Sequence, residues 1–521
     1  MLIQIRKLTN MLTQVSKNDP SHFVLIQVLL TFVLKIFVFP VFLLSTERYF
    51  TEQIANSLVY TREFQIIVRE KLFPAPGYQA FIRWKKRYGP ISTFWMGSKK
   101  YIIISDYELM KDTFVKDPET YINKYANEIG KELRGGNYGV IETNGDTWRV
   151  HRRFALTTLR DLGFGKDLMQ MKILIEVEEL FKILDKPTEL PVDLAKLIDR
   201  AVGNVINQML FGYRFDDSGD FEKLKNLIDT LRETFGEFRY FIQFMAPACS
   251  KFIPGTTLNE MVAIRREKLN KFFDAQIKEH RENIDFDSED VSDYCEGYLK
   301  EQKRLEKSGD LEMFNNNQLR VMCLDMWLAG LVTTTVTLTW GISYFLNDSE
   351  VRRRIYEELD RVIGSSETLV TTSEKLDLPY MNAFINETQR CANILPINLF
   401  HETTRDTVVN GYSIKAGTGI IAQISTVMLD EKVFPNPEKF DPTRFIDGET
   451  GKLRKIDEVI PFSIGKRQCL GEGLARMELF LFFANLFNRY EITTTNPPNL
   501  DKSHGIIVLA QKINANMQKR S

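Results

Sequence analysis

An excess of charge of either sign is missing: 68 Lys and Arg face 69 Asp and Glu, a net charge of −1 over 521 residues. A chain so balanced has no electrostatic case for nucleic acid. Cysteine is scarce and unpatterned. The five residues, at 249, 295, 323, 391 and 469, are odd in number and lack CxxC spacing. A disulfide framework and a zinc ribbon are therefore not expected, and a reducing cytosolic face fits. Histidine is as sparse, with five residues and no HxxxH pair, which argues against a histidine-built metal site. Apolar residues are abundant instead: 44% of the chain is hydrophobic and 37 residues are Phe, enough for a large core and against disorder.

The longest apolar run near the N-terminus covers residues 23–44, broken by Gln27, Thr31, Lys35 and Pro40. Its length suits a helix crossing a bilayer. Lys35 costs roughly 3 kcal/mol on insertion scales, and Pro40 introduces a kink. A buried helix is the alternative; a cleaved signal peptide lacks a small-residue site after the run. Basic residues stand on both sides, so the positive-inside rule leaves the orientation open. The organisation expected is a tail over 1–22, a transmembrane anchor over 23–44, a linker over 45–73, and one catalytic domain over 74–521. A short hinge, Phe73-Pro74-Ala75-Pro76-Gly77, opens that domain.

Within the domain, Ala80–Tyr88 reads as a helix, and Ile91–Trp95 with Lys100–Ser105 as a hairpin turning at Met96-Gly97-Ser98. Asp106 is expected to cap a helix reaching Lys116. The glycine-dotted stretch 124–140 reads as loop, and 165–310 as long amphipathic helices. Phe235–Met245 is unusually aromatic, for a core or for a substrate lid at a membrane surface. Leu319–Leu346 is nearly all apolar. Val332-Thr333-Thr334-Thr335-Val336-Thr337 has strand propensity, yet the run as a whole reads as a helix buried on every side.

The most informative stretch is Pro461–Arg476. Glycines let the backbone turn tightly and approach a planar group. Cys469 stands just before a helix start, where a thiolate is stabilised, and Arg467 adds a cation nearby. Phe462-x-x-Gly465-x-Arg467-x-Cys469-x-Gly471 resembles the heme-binding loop of the cytochrome P-450 family. In that family the cysteine thiolate is the axial iron ligand and favours O–O cleavage.

Three further motifs in order carry the same resemblance. Trp148-x-x-x-Arg152 matches a pair that contacts a heme propionate, and His401 and Lys124 are further candidates for that contact. Ala329-Gly330-Leu331-Val332-Thr333-Thr334 matches the oxygen-binding helix, where Gly330 gives O2 and porphyrin room and Thr333 donates to bound oxygen. Glu387-x-x-Arg390 with Arg444 of Pro442-Thr443-Arg444-Phe445 matches a buried charge lock that supports the cysteine loop. The departure is Val332, which occupies the place of an acid and relays no proton. Thr333 with ordered water is the expected substitute; Asp325 approaching by another route and loss of ordinary O2 activation are the alternatives.

The resemblance covers about residues 74–510. It implies a mainly α fold with small β-sheets (α+β), a helical prism enclosing heme b behind an N-terminal membrane-anchor helix. It also implies a monooxygenase that inserts one atom of O2 into a lipophilic small molecule (xenobiotic, fatty acid or steroid-like). NADPH electrons would come from a flavoprotein reductase, with cytochrome b5 as a further donor. A basic face of His151, Arg152, Arg153 and Lys466 is expected to dock the reductase. Leu395–Phe400 and Lys502–Ile506 are expected at the substrate pocket. The style is that of animal microsomal members, a nematode source being the expectation, with the catalytic domain on the cytosolic side of the endoplasmic reticulum and a mitochondrial membrane as the alternative. Rival functions are a heme-thiolate isomerase, dehydratase or peroxygenase, and a non-catalytic heme or lipid binder.

Overall fold

The computed structural model describes residues 77–520 except 97–98, 126–127, 164–166, 187–190, 216–218, 237–257, 309–312 and 503–506. The anchor, the linker, most of the aromatic Phe235–Met245 stretch and Ser503–Ile506 lie outside the described residues. The chain divides into two compact units, residues 1–72, 94–99 and 238–258 in one and 73–93, 100–237 and 259–521 in the other. The second holds the helices and sheets that follow, apart from residues 94–99 and 258.

Helix α1 (Tyr78–Tyr88) leads into strands β1 (Ile91–Met96) and β2 (Lys99–Ile104). The Asp106 carboxylate accepts from the Leu109 N–H and so starts α2 (Tyr107–Met110). The helix does not run on to Lys116 in α form: Lys111–Val115 closes as a π turn. After β3 (Asn123–Lys124) comes α3 (Glu128–Arg134), inside the stretch read as loop. Its Gly130 packs so close to the Glu142 carboxyl that a Cβ would lie 2.0 Å from it. Helices α4 (Gly145–Asp161) and α5 (Asp167–Leu184) precede β4 (Val192–Asp193). Next come α6 (Leu194–Phe211), α7 (Asp220–Gly236), α8 (Leu258–Asn283) and α9 (Tyr294–Ser308), the expected long helices.

The axis of the domain is α10 (Asn316–Asn347), capped by Asn315, whose side chain accepts from the Gln318 N–H. It is apolar enough to cross a membrane by composition, but most of it is buried inside the protein. The β-branched run is helical throughout. Thr333, Thr337, Thr339 and Ser343 each turn the hydroxyl back onto the carbonyl four residues earlier, at 2.7–2.9 Å. This satisfies the hydroxyls within the helix and lets tertiary burial override strand propensity. Gly341 allows Phe483 to pack where a Cβ would stand, only 2.2 Å from the ring.

Helices α11 (Ser349–Val362) and α12 (Pro379–Ala392) follow, the latter with Pro379 at its first position, where a missing N–H costs nothing. Then come β5 (His401–Glu402), β6 (Thr407–Val409), β7 (Tyr412–Ile414), β8 (Gly419–Ala422) and the short α13 (Ser425–Met428). Helix α14 (Glu472–Arg489), β9 (Tyr490–Thr493) and β10 (Asn514–Lys519) complete the chain. The strands form sheets in the orders β1-β2-β8-β5-β3, β4-β10-β9 and β6-β7. A mainly helical fold with small sheets is thus what the structure contains. In the first sheet, Lys124 of β3 pairs in register with His401 of β5, which brings together two residues 277 positions apart.

Candidate active site

The loop before α14 is shaped by backbone constraints. The Cys469 N–H donates to the Phe462 carbonyl at 3.0 Å, and the Gln468 N–H to the Gly465 carbonyl at 3.0 Å. Gly465 has φ +82°, and a Cβ there would lie 2.2 Å from the Phe114 carbonyl oxygen, so only glycine fits. Phe462 lies under the Arg476 guanidinium, 4.9 Å from the ring centroid. A Cβ on Gly471 would meet nothing within 4 Å, so space is open beside the cysteine.

Cys469 is the one exposed residue among the free cysteines that the structure describes. It is nonetheless closely surrounded by protein, the combination expected of a side chain facing an enclosed space. Burial pushes its thiol up; the Gly471 N–H and Arg152 oppose this, and Glu472 adds to it. The N–H at the helix start favours the thiolate as expected, and the cation that does so is Arg152 and not Arg467. The cation facing the sulfur is Arg152, whose Nη2 donates to the Gln468 carbonyl at 2.7 Å. Arg467 turns away. Its Nε donates to the Ile122 carbonyl at 2.8 Å, its Nη2 to Asn144 Oδ1 at 2.9 Å, and its plane lies 3.9 Å from the Trp148 ring centroid. A thiol so placed ionises when a metal supplies the missing charge stabilisation.

Around Trp148 the structure gathers cations without matching anions. Arg152 lies 5.8 Å from the same indole, as the four-residue spacing on α4 requires. Burial pushes Arg467 down to about 9, with Arg152 and Arg149 adding to the effect. Lys124 is buried and driven well below the usual lysine range by burial, then by Arg467 and Arg152, with only Glu142 opposing. The His401 Nδ1–H donates to the Tyr121 carbonyl at 2.7 Å, which leaves Nε2 as the acceptor for Lys124 Nζ at 2.8 Å. Burial and Lys124 hold His401 well below its ordinary pKa. The buried Trp148 Nε1–H has no acceptor among the described residues. Orphaned donors beside unbalanced cations fit a pair of carboxylates, as heme propionates would provide.

On α10, Ala329 is exposed and Leu328, Gly330 and Thr333 are half-buried, although most of the helix is buried. One turn apart, Ala329 and Thr333 open the same face of an otherwise enclosed helix. Thr333 Oγ1 donates to the Ala329 carbonyl at 2.7 Å. A Cβ on Gly330 would meet Ile206 Cδ1 at 2.6 Å, so the glycine admits α6 against α10. Val332 is buried. Asp325 is fully engaged: Arg134 Nε donates to it at 3.0 Å, and the Val140 and Ile141 N–H groups at 2.9 and 3.1 Å. It is not free to replace the missing acid.

The charge lock closes completely. Glu387 accepts two bonds from Arg390, at 2.6 and 2.8 Å, and both side chains are fully buried. Arg444 Nε adds a bond at 3.3 Å and the Asp441 N–H one at 2.8 Å. Arg444 also donates to the Asn436 and Lys439 carbonyls.

His151 leaves the expected basic face. It is buried against Tyr298 and Phe314, Nε2 bonds the Met313 carbonyl at 3.0 Å, and burial pushes its pKa down to about 4. Lys466 remains at the surface, paired with Glu119 at 2.6 Å. Asn144 was not singled out from the sequence. Its side chain holds the Lys124 backbone, accepting at 2.6 Å and donating at 2.9 Å, and also accepts from Arg467. Its place before α4 signals a helix cap. Its actual partners are fixed by the tertiary fold.

An accessible cysteine before a helix, a cationic cluster short of anions and an opened threonine helix define a heme-thiolate class of protein. The comparisons give the family. The Cytochrome P450 family model matches residues 67–517, and the chain belongs to that family. It is 34% identical to "Cytochrome P450 2C23" of Rattus norvegicus over 80% of this chain and 83% of the relative. With "Cytochrome P450 2H1" of Gallus gallus it shares 33% over 79% and 82%, and with "Cytochrome P450 2E1" of Bos taurus 33% over 82% and 84%. These relatives give no support to a nematode source. Membership makes the protein a cytochrome P450 monooxygenase with a heme-thiolate cofactor.

Proposed function

We propose that the protein inserts one oxygen atom of O2 into a lipophilic small molecule (xenobiotic, fatty acid or steroid-like), using NADPH-derived electrons from a flavoprotein reductase. Bound heme supplies the oxygen activation and electron handling; the chain supplies position, charge and protons. Cys469 would hold the heme iron through its sulfur, in a loop whose shape Gly465 fixes. Lys124, Arg152 and Arg467, with His401 and the Trp148 N–H, would neutralise and hold the heme carboxylates. The observation that carries this reading is the pairing of an accessible cysteine with a cationic cluster short of anions, built around the buried Lys124. Ala329 and Thr333 face the reacting side, where the Thr333 hydroxyl holds a proton and can donate it. Glu387, Arg390 and Arg444 brace the cysteine loop. The exposed Leu399, with its neighbours in Leu395–Phe400, supports an apolar substrate.

The domain boundaries proposed are those of the sequence: tail 1–22, anchor 23–44, linker 45–73 and catalytic domain 74–521. The site is the cytosolic face of the endoplasmic reticulum, as for animal microsomal members, with cytochrome b5 as a further electron donor. The test is turnover of full-length protein with reductase and a panel of lipophilic probes. Product that requires both NADPH and O2 is expected. Product formed without either would favour an isomerase, dehydratase or peroxygenase, the reading that Val332 motivates.

A further inference from the structure

Helix α4 is preceded by a residue well suited to cap it, and that residue does not do so. Asn144 stands in the N-cap position with extended backbone, yet its side chain makes no cap hydrogen bond. Asparagine is among the best N-caps. A strong local preference given up in this way points to a gain elsewhere.

The gain lies on β3, the edge strand of its sheet, where Lys124 pairs with His401. In an antiparallel pair the N–H and C=O of one residue point the same way. Those of Lys124 point away from β5, on the side where an edge strand lacks a neighbour. The Asn144 amide takes the place of that neighbour. Oδ1 accepts from the Lys124 N–H at 2.6 Å, and Nδ2 donates to the Lys124 carbonyl at 2.9 Å. A donor on one side and an acceptor on the other fix which end of the amide is oxygen. The same Oδ1 accepts from Arg467 Nη2 at 2.9 Å. One amide thus joins two cations that lie far apart in the chain.

An amide suits this place better than an acid. A carboxylate would hold Arg467 more tightly, but it would cancel the charge and set oxygen against the Lys124 carbonyl. The remaining bonds of Arg467 follow the same rule. Its acceptors are the Ile122, Val140 and Thr143 carbonyls, so every partner it has among the described residues is a neutral oxygen. The guanidinium is held in place with its charge left over for a ligand.

We propose that Asn144 is a positioning residue for heme, which fixes Lys124 against Arg467 and keeps both cations free to meet the heme carboxylates. The helix start is left without its side-chain cap because the amide is committed to this spacing.

The inference rests on the heme-carboxylate reading of the Lys124–Arg152–Arg467 group, and its test separates the two. Full-length holoprotein carrying Asn144→Asp is compared with wild type by heme transfer to an acceptor protein, by resonance Raman spectra and by reduction potential. Aspartate keeps the size and adds a carboxylate beside Arg467. Transfer should accelerate several-fold and the propionate bending bands should shift. The potential should fall, because added negative charge favours the oxidised state. In an Arg467→Gln background Asn144→Asp should have a much smaller effect on transfer, since the cation it cancels is gone. Equal effects in both backgrounds overturn the proposal. A residue that only braces β3 would lower the melting temperature of the protein and leave the propionate bands and the potential unmoved; that result overturns it too. Should Asn144→Asp not fold, Asn144→Ser decides. Serine can cap α4 but cannot bond the N–H, the carbonyl and the guanidinium together, so faster transfer is expected and wild-type transfer overturns the proposal. If Lys124→Met and Trp148→Phe also leave transfer unchanged, the heme-carboxylate reading itself fails. If they accelerate it and the Asn144 variants do not, only the role of Asn144 fails.

Discussion

Two clusters of charge, the Glu387–Arg390–Arg444 lock around a buried pair and the Lys124–Arg152–Arg467 group around a buried lysine, are built from similar residues to opposite ends. In the lock, carboxylate, guanidinium and backbone groups satisfy one another within the protein. In the second, cations meet cations, a histidine accepts from a lysine, and an indole N–H has no acceptor. A closed network is scaffold. An open one is a site that awaits a ligand of opposite sign, because a buried unpaired charge is tolerated only where something else completes it.

The difference can be broken most forcefully at the lock. Glu387→Ala strands Arg390 in the core and should cost roughly 3–5 kcal/mol, leaving little heme-loaded protein. Denaturant unfolding and the yield of heme-loaded protein measure it; a normal heme content would overturn the assignment. His151 sharpens the contrast along α4, since it points into the core while Arg152 faces the cluster. Its folded pKa of about 4 lies below the ordinary 6.5, so the unfolded chain binds the extra proton. Stability should therefore be constant above pH 6.5 and fall as pH drops toward 4, by up to about 3 kcal/mol. His151→Phe should flatten that limb, read from unfolding curves across the pH range.

The open cluster should respond with the opposite sign. Lys124→Met removes a buried cation at similar volume and should stabilise the heme-free protein by about 1–2 kcal/mol while speeding heme loss. Thermal unfolding with and without heme checks both halves. A Lys124→Met protein less stable in both states would mean that the lysine is scaffold. The smallest effect is expected for Trp148→Phe, which deletes an N–H that bonds nothing in the protein. Heme-free stability should stay within about 1 kcal/mol, and heme transfer to an acceptor protein should accelerate. An unchanged transfer rate would remove Trp148 from the propionate site.

Much of this was legible in the sequence because short spacing encodes local geometry. The four-residue gap places Trp148 and Arg152 on one face, and the three-residue gap places Glu387 against Arg390. Asp106 marks a helix start as its chemistry requires. What escaped depended on distant contacts. Gly330 suits a close approach in sequence, but only the packing of α6 shows that Ile206 makes it. His151 reads as basic surface until α4 is rolled against Tyr298 and Phe314. The helix at Glu128–Arg134 was hidden by glycines that serve neighbours far along the chain. Asn144 stands where a helix cap belongs, and only the sheet edge at β3 shows where its amide goes.

The most direct measurement is the carbon monoxide difference spectrum of the purified, reduced full-length protein. A long-wavelength Soret band, lost in Cys469→Ala, is the expected result and would establish thiolate ligation at the loop. Heme bound without that band, or a band that survives Cys469→Ala, would contradict the assignment of the axial ligand and with it the proposed reaction.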